Sequence, residues 1–434
     1  MAVGKECSMT RPWRAGLAAL AGTALALAPV NAGSAHVAAV AGTPAAQVTP
    51  IVLFPAFHFT KLVVTVRHQR VDRACPSSGR FQDWFGHPVR GRFDQVCRDE
   101  LLTLRYNARG TRPMARRFAN QRGVTVRVSN YGSTASAPFY EPMYRALLQA
   151  GYERDKTIRV AGYDSRLTPD MGRFLPRTKA LIEDTSRSNG GRPVQLVGHS
   201  NGPLYAQYLL THTSAAWKAT YIHGFTPIAG NFPGQGLLFS LFFTGVNVSD
   251  FTYPTTHANA VSSARMFLSA PSSYMSAADP AIFGSREVVL ADQTSGRRYT
   301  PTDFRRLFAD AHLPRARRIA EHYIGFVRFA QPAWFPHVDV SAERGSQVPT
   351  AVGVALPNLS VGQLVTADTQ FYVRGGDGNQ EGITNTAIGV WQAMPCFRFT
   401  LRANVGVNHF ELPADPAVLR RLVANANRPR SPCQ

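Results

Sequence analysis

Apolar residues along this chain fall into two patterns. In the first they form short runs bounded by Gly, Pro or polar residues, over 50–57, 157–160, 193–197, 221–225 and 370–373. Each run is too short for a helix and rich in Val, Ile, Leu or aromatic residues, so each predicts a strand, with 193–197 a buried parallel strand and 50–57 the first central one. Residues 124–128 alternate apolar and polar and predict a further strand. In the second pattern apolar positions recur three or four apart, which predicts helices over 140–149, 178–184, 204–212 and 299–311. The last of these starts at Thr300-Pro301-Thr302, a helix-start signal. Strands alternating with helices imply a mostly parallel sheet with helices on both faces and any site at the strand C-termini.

One run fits neither pattern. Residues 236–243, Gly-Leu-Leu-Phe-Ser-Leu-Phe-Phe, have no polar face. They predict a cap over an apolar site, within an insertion at about 230–345, with a wholly buried element as the alternative.

The run 193–197 leads into Gly198-His199-Ser200-Asn201-Gly202, and a helix pattern follows. Strand, Gly-x-Ser-x-Gly and helix in that order predict the sharp turn of an α/β-hydrolase, with Ser200 in strained backbone and its hydroxyl at the top of the sheet. Such a serine needs an imidazole to take its proton and a carboxylate to hold the imidazole tautomer, in the chain order Ser, Asp, His. Asp377, in a Gly-rich turn past a predicted strand, and His409, in a loop before the last helix, have the right order. Glu381 and Asp368 are the rival acids. His199 is assigned to packing, its side chain pointing away from Ser200. Backbone N–H groups of Phe57 and Asn201 are the candidate oxyanion donors.

Composition bounds the rest. A chain of 434 residues, 44% apolar and 17% charged, suits one α/β domain with sizeable insertions. Its first residues do not belong to that domain. Lys5, Arg11 and Arg14 precede an apolar stretch over 15–30, and Gly33-Ser34-Ala35 follows, so 1–35 predicts a cleaved signal peptide and 36–49 a flexible linker. The domain then spans 50–434. No later segment is long and apolar enough to cross a bilayer. The net charge of +20 comes almost wholly from Arg, since there are only five Lys. Such a surface favours anionic partners such as acidic lipid headgroups, although a base-composition bias accounts for it equally well. No nucleic-acid fold signature accompanies it.

With Cys7 in the signal segment, Cys75, Cys97, Cys396 and Cys433 remain. In an exported chain they predict two disulfides with three possible pairings, of which nearest-neighbour pairing is the simplest. No Cys or His pair has zinc-ligand spacing, and no metal or organic cofactor is implied. The loop between Cys75 and Cys97 carries Phe81, Trp84, Phe85 and Phe93 beside Arg80, Arg90 and Arg92. It reads either as a lipid-docking patch or as a cross-linked loop with its aromatics packed inward. Asn247-Val248-Ser249 and Asn358-Leu359-Ser360 are glycosylation acceptors if exposed.

Beyond these motifs the chain resembles the lecithin:cholesterol acyltransferase family, which includes lysosomal phospholipase A2, over about 50–412. The resemblance rests on the elbow, on Tyr163-Asp164-Ser165-Arg166-Leu167-Thr168-Pro169 and on Tyr299-Thr300-Pro301-Thr302-Asp303-Phe304. By resemblance, Ser200, Asp377 and His409 match the family triad, Phe57 and Asn201 its oxyanion donors, residues about 72–100 its membrane-binding loop (Phe81, Trp84 and Phe85), and the 236–262 area its lid. Ala56 stands where the family usually has Gly, Asn201 where it has Leu or Met, Ser165 where it has Trp, and Asn379-Gln380 where it has Thr-Val. The resemblance implies a monomeric, secreted or endolysosomal phospholipase A and O-acyltransferase at a membrane or lipoprotein phospholipid surface. It would pass an acyl chain to water or to a lipid alcohol such as a sterol or ceramide. The alternatives are a secreted carboxylesterase or lipase of neutral esters, and a catalytically dead lipid-binding homologue.

Overall fold

The computed structural model describes residues 48–84, 92–109, 112–246 and 254–433. The predicted signal segment, most of the linker, Phe85 and the acceptor site at Asn247 lie outside the described residues. Strand β1 (Ile51–Phe54) buries all four of its side chains. Ile51 and Leu53 pack into one layer, Val52 and Phe54 into the other, so no polar residue interrupts the run. β1 lies between β2 (Ile158–Val160) and β3 (Val194–His199). The sheet continues through β4 (Ile222–Ile228), β5 (Val340–Ser346) and β6 (Phe399–Val405) in the order β6-β5-β4-β3-β1-β2, with every pairing parallel.

Helices cover both faces. α1 (Glu141–Gln149) and α4 (Pro416–Ala426) bury Met143, Tyr144, Leu147, Val418 and Leu422 on the Ile51 side. α2 (Phe174–Ser188) and α3 (Gly202–Thr211) bury Leu181, Ile182, Leu204 and Leu209 on the Val52 side. This is the α/β-hydrolase arrangement expected from the alternating strand and helix patterns.

Three predicted segments are placed differently from the sequence reading, and the central strands β5 and β6 were not predicted. Strand Val124–Val128 lies outside the central sheet, in a three-stranded antiparallel sheet with Leu62–Val66 and Gly79–Asp83. Strand Gln370–Gly376 also stands apart, antiparallel to Val348–Leu356 in a four-stranded sheet. The run 236–243, expected as a cap, is a buried element: every residue of helix Leu238–Thr244 is buried, and Phe242 stacks on Tyr274 at 4.5 Å. Its missing polar face is explained by packing on all sides.

β5 escaped the pattern because Glu343 and Arg344 break its apolar run. Glu343 is nevertheless buried, and its carboxylate accepts from Arg421 Nε and Nη2 at 2.7 Å each. β5 also begins inside the range set aside for the insertion. Disulfides join Cys75 to Cys97 and Cys396 to Cys433, the nearest-neighbour pairing. Among the described residues no helix is long and apolar enough to cross a membrane.

Candidate active site

β3 ends at His199, and Ser200 follows with φ of 59°, a left-handed backbone that a non-glycine residue adopts only under constraint. Two close approaches impose that constraint. A Cβ on Gly198 would lie 2.8 Å from Pro203 N, and one on Gly202 would lie 2.0 Å from Phe54 O. Both glycines are required because backbone occupies the space of a side chain. The second approach seats the start of α3 against the end of β1, beside the loop that carries Phe57. Ser200 is pinned on both sides: its N donates to Ile228 O, and its O accepts from Asn231 N, at 2.9 Å each.

The candidate acid, Asp377, arrives from the second sheet. After β5 the chain turns at Gln347, with φ of 61°, into Val348–Leu356, and the partner strand Gln370–Gly376 brings Asp377 back beside β5. A Cβ on Gly345 would lie 2.6 Å from Asp377 Cβ, so the two strands meet closely there. Asp377 Oδ1 accepts from Asn379 N at 3.1 Å and Gln380 N at 2.7 Å, while Oδ2 accepts from His409 Nδ1 at 3.0 Å. His409 N also donates to Asp377 O at 2.8 Å. With Nδ1 protonated and held, Nε2 of a neutral His409 is the nitrogen left to accept a proton.

The structure thus joins Asp377 to His409 directly, and it joins His409 to the elbow through His199. His199 Nε2 donates to His409 O at 3.0 Å, and the two rings lie 4.9 Å apart. The packing role assigned to His199 understated it. The rival acids sit elsewhere. Asp368 is exposed. Glu381 is buried and its Oε1 accepts from Gly236 N at 2.7 Å. Burial, together with repulsion from Glu287 and Asp377, pushes Glu381 up to about 8.

Of the oxyanion candidates, Asn201 opens α3 and its Oδ1 accepts from Ser276 Oγ at 2.8 Å. Phe57 is half-buried with its ring 6.3 Å from that of Phe267, at a cavity of about 20 Å³ lined mainly by apolar groups such as Leu62, Leu102 and Met266. Next to it His58 Nε2 donates to Asp83 Oδ2 at 2.7 Å, with Arg98 3.7 Å from the same carboxylate. Burial raises the Asp83 pKa, but the His58 and Arg98 charges outweigh it and hold the group well below the usual carboxylate range. Nothing in the sequence singled out this pair, because His58 and Asp83 meet only through strand pairing. In the disulfide loop, Phe81 is half-buried with its ring 4.9 Å from Phe93, and Lys61 Nζ sits 4.7 Å from the centroid of Trp84.

Comparison with known proteins shows which families this chain is similar to. The family model described as lecithin:cholesterol acyltransferase matches residues 113–324, a span that holds Ser200 and ends before Asp377 and His409. The lysosomal phospholipase A and acyltransferase of Bos taurus is 26% identical over 317 residues, covering 69% of this chain and 73% of that protein. The phosphatidylcholine-sterol acyltransferase of Homo sapiens is 30% identical over 207 residues, 45% of this chain and 44% of that protein. A lecithin-cholesterol acyltransferase-like protein of Oryza sativa is 25% identical over 400 residues, 87% of this chain and 86% of that protein. Among solved structures, a chain in the crystal structure of the Tle4-Tli4 complex superposes with a TM-score of 0.50 at 12% identity, covering 87% of this chain and 97% of that one. At that identity the likeness speaks for the fold alone.

Proposed function

We propose, for a chain that belongs to the lecithin:cholesterol acyltransferase family, that it is a phospholipase A and lipid O-acyltransferase working through a serine acyl-enzyme. The observation that carries this reading is the Asp377–His409 pair docked against the residue that precedes Ser200 in the elbow.

The chemistry follows from the roles each group can take. His409 Nε2 takes the Ser200 proton as Oγ attacks the acyl carbonyl of a glycerophospholipid. Asp377 keeps the imidazole in the tautomer that leaves Nε2 free and balances the imidazolium charge as it forms. Backbone N–H groups of Phe57 and Asn201 receive the oxyanion, each such donor contributing about 2.7–4 kcal/mol. The imidazolium then protonates the departing lysophospholipid oxygen. Water or a lipid alcohol, such as a sterol or ceramide, gives its proton to His409 and attacks the acyl-Ser200 ester, which regenerates the enzyme.

Substrate would be met at a phospholipid surface. Trp84 beside Lys61, within an Arg-rich chain, supports docking of the disulfide loop on lipid headgroups. The leader-like segment and the disulfides support export, with the protein secreted or endolysosomal, and exposed Asn358 supports glycosylation. The test is fatty-acid release from phosphatidylcholine vesicles with and without a sterol, followed by lipid mass analysis, for wild type and Ser200→Ala. Loss of release and of fluorophosphonate labelling in the variant is expected. Wild-type activity in Ser200→Ala would overturn the nucleophile.

A further inference from the structure

A buried chain of hydrogen bonds links the loop after β1 to the backbone of His409. Ala56 N donates to Tyr140 Oη at 2.8 Å, Tyr140 Oη lies 3.0 Å from His199 Nδ1, and His199 Nε2 lies 3.0 Å from His409 O. Tyr140, His199 and His409 are all at most 1% exposed. Aromatic rings enclose the path: Phe139 stacks on His199 with an interplanar angle of 5°, and the Phe59 centroid is 6.0 Å from that of His199.

The direction of every proton follows from valence. A backbone N–H only donates and a carbonyl only accepts. Tyr140 therefore receives from Ala56 and spends its one proton on His199 Nδ1. His199 must then carry its own proton on Nε2, which donates to His409 O. An imidazolium would turn an N–H toward the Tyr140 hydroxyl and take away the acceptor for its proton. Burial, and then the neighbouring His409, hold His199 well below its ordinary range. Burial raises Tyr140 well above its own. Both groups therefore stay neutral, as the bonds require.

We propose that Tyr140 and His199 are positioning residues for the acyl-transfer reaction, forming a proton-ordered strut that sets His409 and the Phe57 peptide relative to each other across Ser200. This rests on the reading of Ser200 and His409 given above. One end of the strut holds the amide next to the Phe57 N–H. The other holds the carbonyl of the residue whose imidazole must accept the serine proton. Oxyanion donor and base are thus tied to one rigid path rather than to two loops that move independently. Loss of about 1 Å of alignment costs on the order of 100-fold in rate.

The experiment uses the full-length, disulfide-bonded protein. Tyr140→Phe keeps the ring and removes only Oη. It is expected to lower kcat for fatty-acid release from phosphatidylcholine vesicles by about 10- to 100-fold with KM unchanged, and to slow fluorophosphonate labelling of Ser200 in step. His199→Phe should fall as far, and His199→Gln, whose amide can still donate to His409 O, should recover most of the loss at the same melting temperature. Tyr140→Phe folded and labelling at the wild-type rate would overturn the strut, as would His199→Gln no better than His199→Phe. A second arm does not depend on turnover: 15N NMR of the histidines in wild type should find His199 neutral, protonated at Nε2, from about pH 5 to 8. A proton on Nδ1, or a titration in that range, would overturn the strut. Should the wild type neither label nor release fatty acid, the enzymatic reading falls while the NMR arm still decides the strut.

Discussion

His409 and Asp377 hold each other at two points. The ring Nδ1 is 3.0 Å from Asp377 Oδ2, and the His409 amide donates to Asp377 O at 2.8 Å. The second bond fixes the backbone from which the ring projects, so the pair is aligned whether or not substrate is present. Two backbone amides, Asn379 N and Gln380 N, hold the other carboxylate oxygen.

That arrangement separates chemistry from folding in Asp377→Asn. The side-chain oxygen can still accept from the two amides, so the melting temperature should stay near wild type. The imidazole loses the carboxylate that selects its tautomer, and kcat should fall on the order of 10⁴-fold. Steady-state kinetics beside thermal unfolding checks both; a variant within tenfold of wild type would remove Asp377 from the reaction.

Gly202 marks the closest backbone approach in the elbow. In Gly202→Ala the new Cβ would meet Phe54 O at 2.0 Å, so either α3 or the end of β1 must move. Fluorophosphonate labelling of Ser200 should be lost and the unfolding temperature should drop. Gly389→Ala is the control, since nothing lies within 4 Å of a Cβ there. Equal labelling of the two variants would show that the close approach does not shape the site.

Glu381 makes the folded protein sensitive to alkali. Its folded pKa, pushed up to about 8 chiefly by burial, lies above the ordinary value of 4.5. Folded protein therefore keeps a proton that the unfolded chain releases. The stabilisation is complete below about pH 4.5, falls as pH rises toward 8, and is gone above it. Glu381→Gln, which keeps an acceptor for Gly236 N, should flatten the fall in melting temperature across that window. An unchanged pH profile would place the buried proton elsewhere.

The Cys75–Cys97 bond closes a separation of 22 residues around the loop proposed to meet lipid. Replacing both cysteines by Ala should cost about 3 kcal/mol, read by denaturant titration. Fatty-acid release from vesicles should fall further than hydrolysis of a soluble short-chain ester. Parallel losses on both substrates would argue against a lipid-docking role for the loop.

Much of this protein can be read in one dimension. The runs at 50–57 and 193–197 announce buried strands because both faces of a central parallel strand are covered, and periodicity marks α1 and α3. The glycines at 198 and 202 announce the turn around Ser200, since only a residue without a side chain fits where backbone meets backbone. The order Ser, Asp, His picked out Asp377 and His409 from many carboxylates and histidines. These signals are local, or depend only on order along the chain.

Other features depend on which surfaces meet in space. Nothing local distinguishes a wholly apolar helix at the surface from one inside, so only packing against Tyr274 and Phe308 decided the place of residues 238–244. Strand β5 was hidden because Arg421, far along the chain, neutralises its Glu343. Strand Gln370–Gly376 looked like any late strand, and only its pairing with Val348–Leu356 shows that Asp377 comes from a second sheet. The sequence by itself determined the elbow, four of the six central strands and the chain order of the three proposed catalytic residues, through steric rules that act over a few residues. Tertiary structure alone decided that Tyr140 and His199 join the loop of Ala56 to His409, because a hydrogen bond depends on position in space and distant segments acquire that only when the sheet assembles.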